Sequence, residues 1–211
     1  MSVVKQLLLD IGPVPTPTLE NFVAGGNNEA LFSLLQAATG RAEFRFIYVW
    51  GAAGSGKSHL LCACADLARQ HGVTLVGVDD VQTLTDAAQI ELFNTYNRLR
   101  EEGGVLIASG HAAPMQMGLR EDLATRLSWG LVYQLQPLSD QDKAQALQAH
   151  AAERGMKLPM EVVEYCLRHQ RRDLRSLMAT LDALDKWSLT AKRPVTLPLL
   201  RQLLQLPLWP I

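Results

Sequence analysis

Four short apolar runs recur along the chain, each separated from the next by a segment whose apolar residues fall at helical spacing. Residues 44–50, ending in Phe46-Ile47-Tyr48-Val49-Trp50, read as a first buried strand. Val73–Val78 reads as a second, Gly104–Ser109 as a third and Leu131–Leu135 as a fourth. Between and before them, Ala30, Leu31, Leu34 and Leu35 mark a helix over Asn28–Ala38. A second helix runs to about His71, Leu92, Tyr96 and Leu99 mark a third over Gln89–Arg100, and a short one covers Leu119–Leu127. Strands alternating with helices predict a parallel sheet covered on both faces. After Pro137 the pattern becomes helical only. Ser139 and Asp142 have the spacing of a capping box, Pro159 suits a first helical turn, and Leu174, Leu177, Met178, Leu181 and Leu184 trace one stripe. A last short helix over Pro198–Gln205 ends before Pro207 and Pro210. The boundaries that follow are a leading segment of residues 1–17, an α/β core of residues 18–137 and a small helical domain of residues 138–211.

Composition narrows the function classes. The 211 residues are 48% apolar, enough for a full core, and carry 20 basic against 21 acidic side chains. A chain this close to neutral has no global basic field to hold a nucleic-acid backbone, so direct DNA binding is not expected to be its primary activity. The apolar stretch at the N-terminus is too short for a signal peptide or a bilayer span, so a cytoplasmic location without membrane association is expected. Cys62, Cys64 and Cys166 lack paired spacing and lie in helical patterns, which predicts buried structural thiols with neither disulfide nor zinc. Gly12-Pro13-Val14-Pro15-Thr16-Pro17 cannot form a helix or a central strand and reads as a semi-extended tether that leaves residues 1–11 outside the core.

The chemistry is concentrated where the first strand ends. Gly51-Ala52-Ala53-Gly54-Ser55-Gly56-Lys57-Ser58 is a complete phosphate loop in its strand-to-helix context. Gly51, Gly54 and Gly56 let backbone N–H groups, Ser55 among them, close around phosphates. Lys57 reaches the outer phosphates, Ser58 offers a hydroxyl to Mg²⁺, and the following helix points its positive end at the anion. The second strand ends in Asp79-Asp80. There Asp79 is placed to hold Mg²⁺ through water opposite Ser58, and Asp80 to polarise an attacking water. Ser109, at the end of the third strand, is a polar group that could sense a terminal phosphate, or a solvated strand end.

Several segments together carry a family resemblance: Thr18-Leu19-Glu20-Asn21-Phe22-Val23-Ala24-Gly25 with Asn28, the loop through His59-Leu60-Leu61, Val78-Asp79-Asp80-Val81-Gln82, Arg126-Leu127-Ser128-Trp129-Gly130, and Arg172-Asp173-Leu174-Arg175-Ser176-Leu177. From residue 18 onward the chain resembles the AAA+ module of the bacterial replication initiator DnaA. It is identified as a member of the DnaA/Hda subgroup, on the side of the regulatory inactivators of DnaA. The resemblance implies an α/β AAA+ P-loop NTPase core followed by a small C-terminal all-helical lid domain. It implies ADP or ATP with Mg²⁺ as the bound cofactor. Residues 51, 54–59 and 79 would lie around the nucleotide, with Arg175 reaching it from the lid. Arg126 matches the arginine finger that enters a neighbouring subunit's site, so it is expected to be at least partly exposed and structurally inexpensive to remove. Gln6, Leu7, Leu9 and Ile11 are similar to the peptide that binds the DNA polymerase sliding clamp, with Ile11 in place of the usual Leu or Phe. DnaA and the clamp are the implied partners, and self-association is left open.

Two departures from the family pattern shape the expectations further. After Ser109 stand Gly110 and His111 where the family has an acid, so intrinsic hydrolysis is expected to be weak or absent. From Lys57 to Asp79 there are 22 residues, which a helix and a strand consume. No room remains for the extra strand and helix that AAA+ modules place between those points. Four parallel core strands are therefore expected, with the second at an edge in need of a cover or solvent. Two rival readings are a free-standing slow ATPase and a DnaA-like initiation or helicase-loading factor.

Overall fold

The computed structural model describes residues 17–170 and 173–205, and the chain divides into two compact units, one of residues 16–138 and one that begins at Ser139. In the first, strand β1 (Phe46–Trp50) pairs in parallel with both β3 (Val105–Gly110) and β4 (Leu131–Gln134). Among the described residues strand β2 (Leu75–Val78) pairs only with β3, giving the order β2-β3-β1-β4. The four parallel strands agree with the count made from the loop-to-acid spacing.

Strand alternation decides which side chain enters which layer. Ile47, Val49, Val105 and Ile107 face α1 (Asn28–Ala38) and α2 (Lys57–Gln70), where Leu34, Leu60 and Cys64 complete a buried cluster. Tyr48, Leu106 and Ala108 face the opposite way, against Leu92, Tyr96 and Leu99 of α3 (Asp86–Glu102) and Leu123 and Leu127 of α4 (Glu121–Ser128). All six residues of β3 are buried, whereas β2 is only half-buried with Gly77 exposed, as an edge position dictates.

Several boundaries differ from the apolar pattern for local reasons. Helix α3 starts three residues before Gln89 because the Thr85 side chain accepts the Ala88 N–H and caps it. Strand β1 starts at Phe46 rather than residue 44, and Phe44 is exposed. Cys64 and Cys166 are buried as expected, but Cys62 is exposed, a correction to the reading of three buried thiols. It lies on the outer side of α2, two residues from the inward-facing Leu60 and Cys64.

The second unit is helical: α5 (Asp140–Glu153), α6 (Met160–His169), α7 (Leu174–Ala191) and α8 (Leu197–Leu204). Leu147, Val163, Cys166, Leu177, Leu181, Leu184 and Leu200 form its core. Helix α5 begins with the capping box read from the sequence. Ser139 Oγ accepts the Asp142 N–H at 3.1 Å, and the Asp142 carboxylate accepts the Ser139 N–H at 3.1 Å. Asp182 on α7 ties this helix to α5 through His150 at 2.7 Å and Arg154 at 3.1 Å.

Candidate nucleotide site

The carboxyl ends of β1, β2 and β3 converge, and in parallel α/β sheets this is where ligands bind. Trp50 lies beside Gly110 in the β1–β3 register and Val78 beside Ala108 in the β2–β3 register. The loop after β1 and the acids after β2 thus flank Ser109 and Gly110.

The loop geometry explains its glycines. A Cβ on Gly51 would collide with the Leu135 carbonyl oxygen. Gly56 sits at φ 96°, where a Cβ would come within 2.6 Å of the Phe22 ring. Lys57 is only 8% exposed and turns back into the loop, donating to the carbonyls of Gly51 at 2.9 Å and Ala52 at 3.1 Å. A buried ammonium held by two neutral carbonyls, with no carboxylate paired to it among the described residues, is a cation matched to an incoming anion. The buried Ser55 hydroxyl has no hydrogen-bond partner among the described residues, an orphaned donor in the wall of the same loop. These features fit a phosphate chain. Ser58 is exposed at the start of α2.

The segment before α1 packs against this loop. Thr18 and Asn21 cap one another, with the Thr18 N–H donating to Asn21 Oδ1 at 2.9 Å and the Asn21 N–H to Thr18 Oγ1 at 3.1 Å. His59 Nε2 lies 2.8 Å from the Thr18 carbonyl, and its ring meets Phe22 at 5.5 Å. Asn27, 5% exposed, binds the backbone of Gln136 twice: Oδ1 accepts the Gln136 N–H at 2.7 Å, and Nδ2 donates to the Gln136 carbonyl at 3.0 Å. This pair joins the start of α1 to the exit of β4.

Ser109 is fully buried, and its hydroxyl is committed inside the chain. It donates to the Asp79 carboxylate and accepts the Asp80 N–H at 3.1 Å. Asp79 is thereby fixed by one oxygen, leaving the other for a cation. Asp80 adopts a left-handed conformation, φ 50°, which the Ser109 bond helps to hold. Gln82 Nε2 donates to Asp80 Oδ1 at 3.0 Å, and its Oε1 accepts the His111 N–H at 3.3 Å, linking the acids to the loop after β3. Behind them Tyr48 donates to the Ala112 carbonyl at 3.0 Å. Burial first, and the charge of Asp80 second, raise its phenol far above the usual tyrosine range, so it stays protonated. The residues that would hold Mg²⁺ are Ser58 and Asp79, with phosphate and water oxygens to complete the shell.

Arg126 lies apart from these strand ends, in the last turn of α4, and is half-buried on an aromatic shelf. Its guanidinium carbon is 4.2 Å from the Trp129 ring centroid, 5.6 Å from Phe93 and 5.8 Å from Tyr96. Among the described residues it makes no ion pair, while its neighbour Arg120 is matched to Asp122 at 2.9 Å. The shelf opens onto a groove lined by Phe93, Arg120, Asp122, Arg126 and Trp129. Stacking uses the faces of a guanidinium and leaves its in-plane N–H donors free for an anion.

Arg175 stands exposed in the first turn of α7, two residues after Asp173, whose carboxylate accepts the Ser176 N–H at 2.8 Å and caps the helix. Gln6, Leu7, Leu9 and Ile11 lie outside the described residues. Sequence reasoning missed the parts played by Asn27, Tyr48, Gln82 and Gln136. Gln82 alone had a local signal, standing two residues after the acid pair.

The fold and the loop define a AAA+ P-loop protein. Residues 140–204 match the family model of the Hda lid domain and residues 69–134 that of the bacterial DnaA ATPase domain, so the chain is a Hda/DnaA-related member of that class. Among solved structures it is similar to domain III of the Thermotoga maritima replication initiation protein DnaA, with TM-score 0.75 and 23% identity over 92% of this chain and 98% of that one. AMPPCP-bound DnaA from Aquifex aeolicus is also similar, with TM-score 0.68 and 21% identity over 82% of this chain and 67% of that one. The Thermotoga maritima RuvB Holliday junction branch migration motor superposes with TM-score 0.66 at 15% identity, over 90% of this chain and 71% of that one. At these identities the solved structures speak to the fold. No described helix is long and apolar enough to cross a membrane.

Proposed function

We propose that the chain is a cytoplasmic, clamp-tethered regulator of replication initiation. It binds ADP or ATP with Mg²⁺ at the phosphate loop and stimulates ATP hydrolysis on DnaA, leaving DnaA in its ADP form. The nucleotide reading is supported by the buried Lys57, the orphaned Ser55 hydroxyl and the AMPPCP bound by the similar Aquifex aeolicus DnaA. Residues 51, 54–59 and 79 surround the phosphates, and Arg175 is the further residue that the family motif assigns to nucleotide binding. The single observation that carries action in trans is Arg126, a guanidinium pre-oriented by aromatic faces and matched to no carboxylate among the described residues. Supplied to a neighbour, it neutralises charge on the transferring phosphoryl group. Gln6, Leu7, Leu9 and Ile11 anchor the sliding clamp, and the proline tether gives them reach.

The test combines ATP-loaded DnaA, clamp loaded on DNA and the purified chain, and follows ADP formation. The expected result is stimulation that requires both the clamp and residues 1–11. Stimulation that is absent, or unchanged by removing residues 1–11, overturns the corresponding part of the reading. The rival of a free-standing slow ATPase draws on the fixed Asp79 and the adjacent Asp80. It predicts turnover by the chain alone.

A further inference from the structure

The chain has no strand between the loop helix and the acid pair, so the outer edge of β2 is unpaired among the described residues, and its groups form a self-complementary set. The Val105 N–H donates to the Thr74 carbonyl at 2.9 Å, and Leu75 is in register with Val105. In a parallel ladder this turns Thr74, Val76 and Val78 toward β3, so Leu75 and Gly77 direct their N–H and C=O groups outward. No strand among the described residues covers them. Gly72 to Val78 contains no charged residue and no proline, the residues that ordinarily blunt an edge.

We propose that two copies of this chain pair through this edge, antiparallel about a two-fold axis at Val76, to form one continuous sheet. In that register Leu75 of each copy lies opposite Gly77 of the other. Each such pair exchanges both of its backbone hydrogen bonds, so the outward groups of both residues are satisfied. The groups at the ends of the strand select this occupant and orientation. Exposed Asp79 and Asp80 follow the strand, and exposed His71 precedes it. Antiparallel pairing keeps the two acid pairs at opposite ends of the seam and sets each beside the other copy's His71-Gly72 turn. Parallel pairing would place the acids side by side. Gly72, which falls opposite Asp80, has open space where a side chain would be.

The test uses the full chain. Sedimentation equilibrium is expected to give a concentration-dependent dimer. Gly77→Pro removes only an outward N–H, and Gly77→Lys places an edge charge where a Cβ meets nothing within 4 Å. Both variants are expected to fold as wild type by circular dichroism and melting, and to sediment as monomers. The register is tested in a Cys62→Ser background, since Cys62 is the exposed native thiol. Val76→Cys lies at the axis in a non-hydrogen-bonded pair, where Cα atoms come within disulfide reach, and should give a covalent dimer on mild oxidation. Thr74→Cys, opposite Val78, should not. A wild-type chain that is monomeric at all concentrations overturns the proposal. So does a dimer that survives in a folded Gly77 variant, or a Thr74→Cys crosslink as efficient as that of Val76→Cys.

Discussion

Replacing Arg126 separates what the side chain does for its own fold from the action in trans proposed for it. The guanidinium lies against three rings at 4.2, 5.6 and 5.8 Å. Partly exposed cation–π contacts contribute about 0.5–1 kcal/mol each, and one cation shared among three rings gives less than the sum, so Arg126→Ala should cost about 1–2 kcal/mol. This exceeds the cost expected of an ordinary surface arginine, because the guanidinium is stacked on rings that the sequence did not reveal. For a unit of this size it lowers the melting temperature by roughly 3–8 °C. Loss of an arginine finger removes on the order of 10³ or more in rate, or about 4 kcal/mol of transition-state stabilisation. The catalytic deficit is therefore the larger effect, and it should appear at temperatures where the variant is still folded. The assay follows ADP formation on ATP-loaded DnaA with clamp on DNA, together with melting and ADP binding of the variant itself. Arg126→Lys sharpens the comparison, since it keeps the charge but loses the planar fork and its stacking, and it should also fail to stimulate. Wild-type stimulation by Arg126→Ala, or a variant that no longer binds ADP, would refute the reasoning.

Lys57→Ala removes the buried ammonium, and the thermal shift produced by ADP with Mg²⁺ should fall to near zero; an undiminished shift would sink the site assignment. Asn27→Ala leaves the Gln136 backbone without its two side-chain partners and should destabilise the α/β unit by about 1–3 kcal/mol in urea titrations of the whole chain. At pH 8 native protein should lose one thiol quickly to an aromatic disulfide reagent, at Cys62, because burial holds Cys64 up at about 12 and Cys166 up at about 11; fast loss of all three would contradict that packing. The Ser139 hydroxyl, followed by its N–H, holds the Asp142 carboxyl below the usual aspartate range. Its contribution is therefore present above the unfolded pKa of about 4 and lost as pH falls through the lower folded value. Asp142→Asn should accordingly flatten the acid limb of the melting curve between pH 5 and pH 2.

The sequence was most informative where one element carries its own signal. The continuous apolar run Phe46–Trp50 marked a buried strand, and the spacing from Lys57 to Asp79 set the number of strands. Interactions between distant segments were not legible. Asn27 and Gln136 are 109 positions apart, and an amide that caps the backbone of another element leaves no periodic trace. The Arg126 shelf joins a helix end to two rings of α3, and only Trp129, three residues on, was visible as a helical neighbour. Ser109 illustrates the same limit differently. Its position at a strand end was readable, but its hydroxyl is taken up by Asp79 and the Asp80 N–H rather than facing outward.

Lys57 and Arg126 meet the same problem, holding a cation without a carboxylate, in opposite ways, and the difference gives each a direction of action. Lys57 is buried and satisfied by the Gly51 and Ala52 carbonyls of its own loop, so a phosphate chain must draw the ammonium away from them. That exchange is favourable because an anion outcompetes neutral carbonyls in a site of low dielectric. Arg126 has nothing to give up. Its faces are occupied by rings while its edges stay available, so an anion presented from outside meets a guanidinium whose orientation is already fixed and little side-chain entropy is lost on contact. A chain built only to hydrolyse its own nucleotide has no need of a pre-oriented arginine on a surface groove. A chain that completes another protein's site does, and on the proposed reading the receiving lysine and the presented arginine are the physical basis for action in trans.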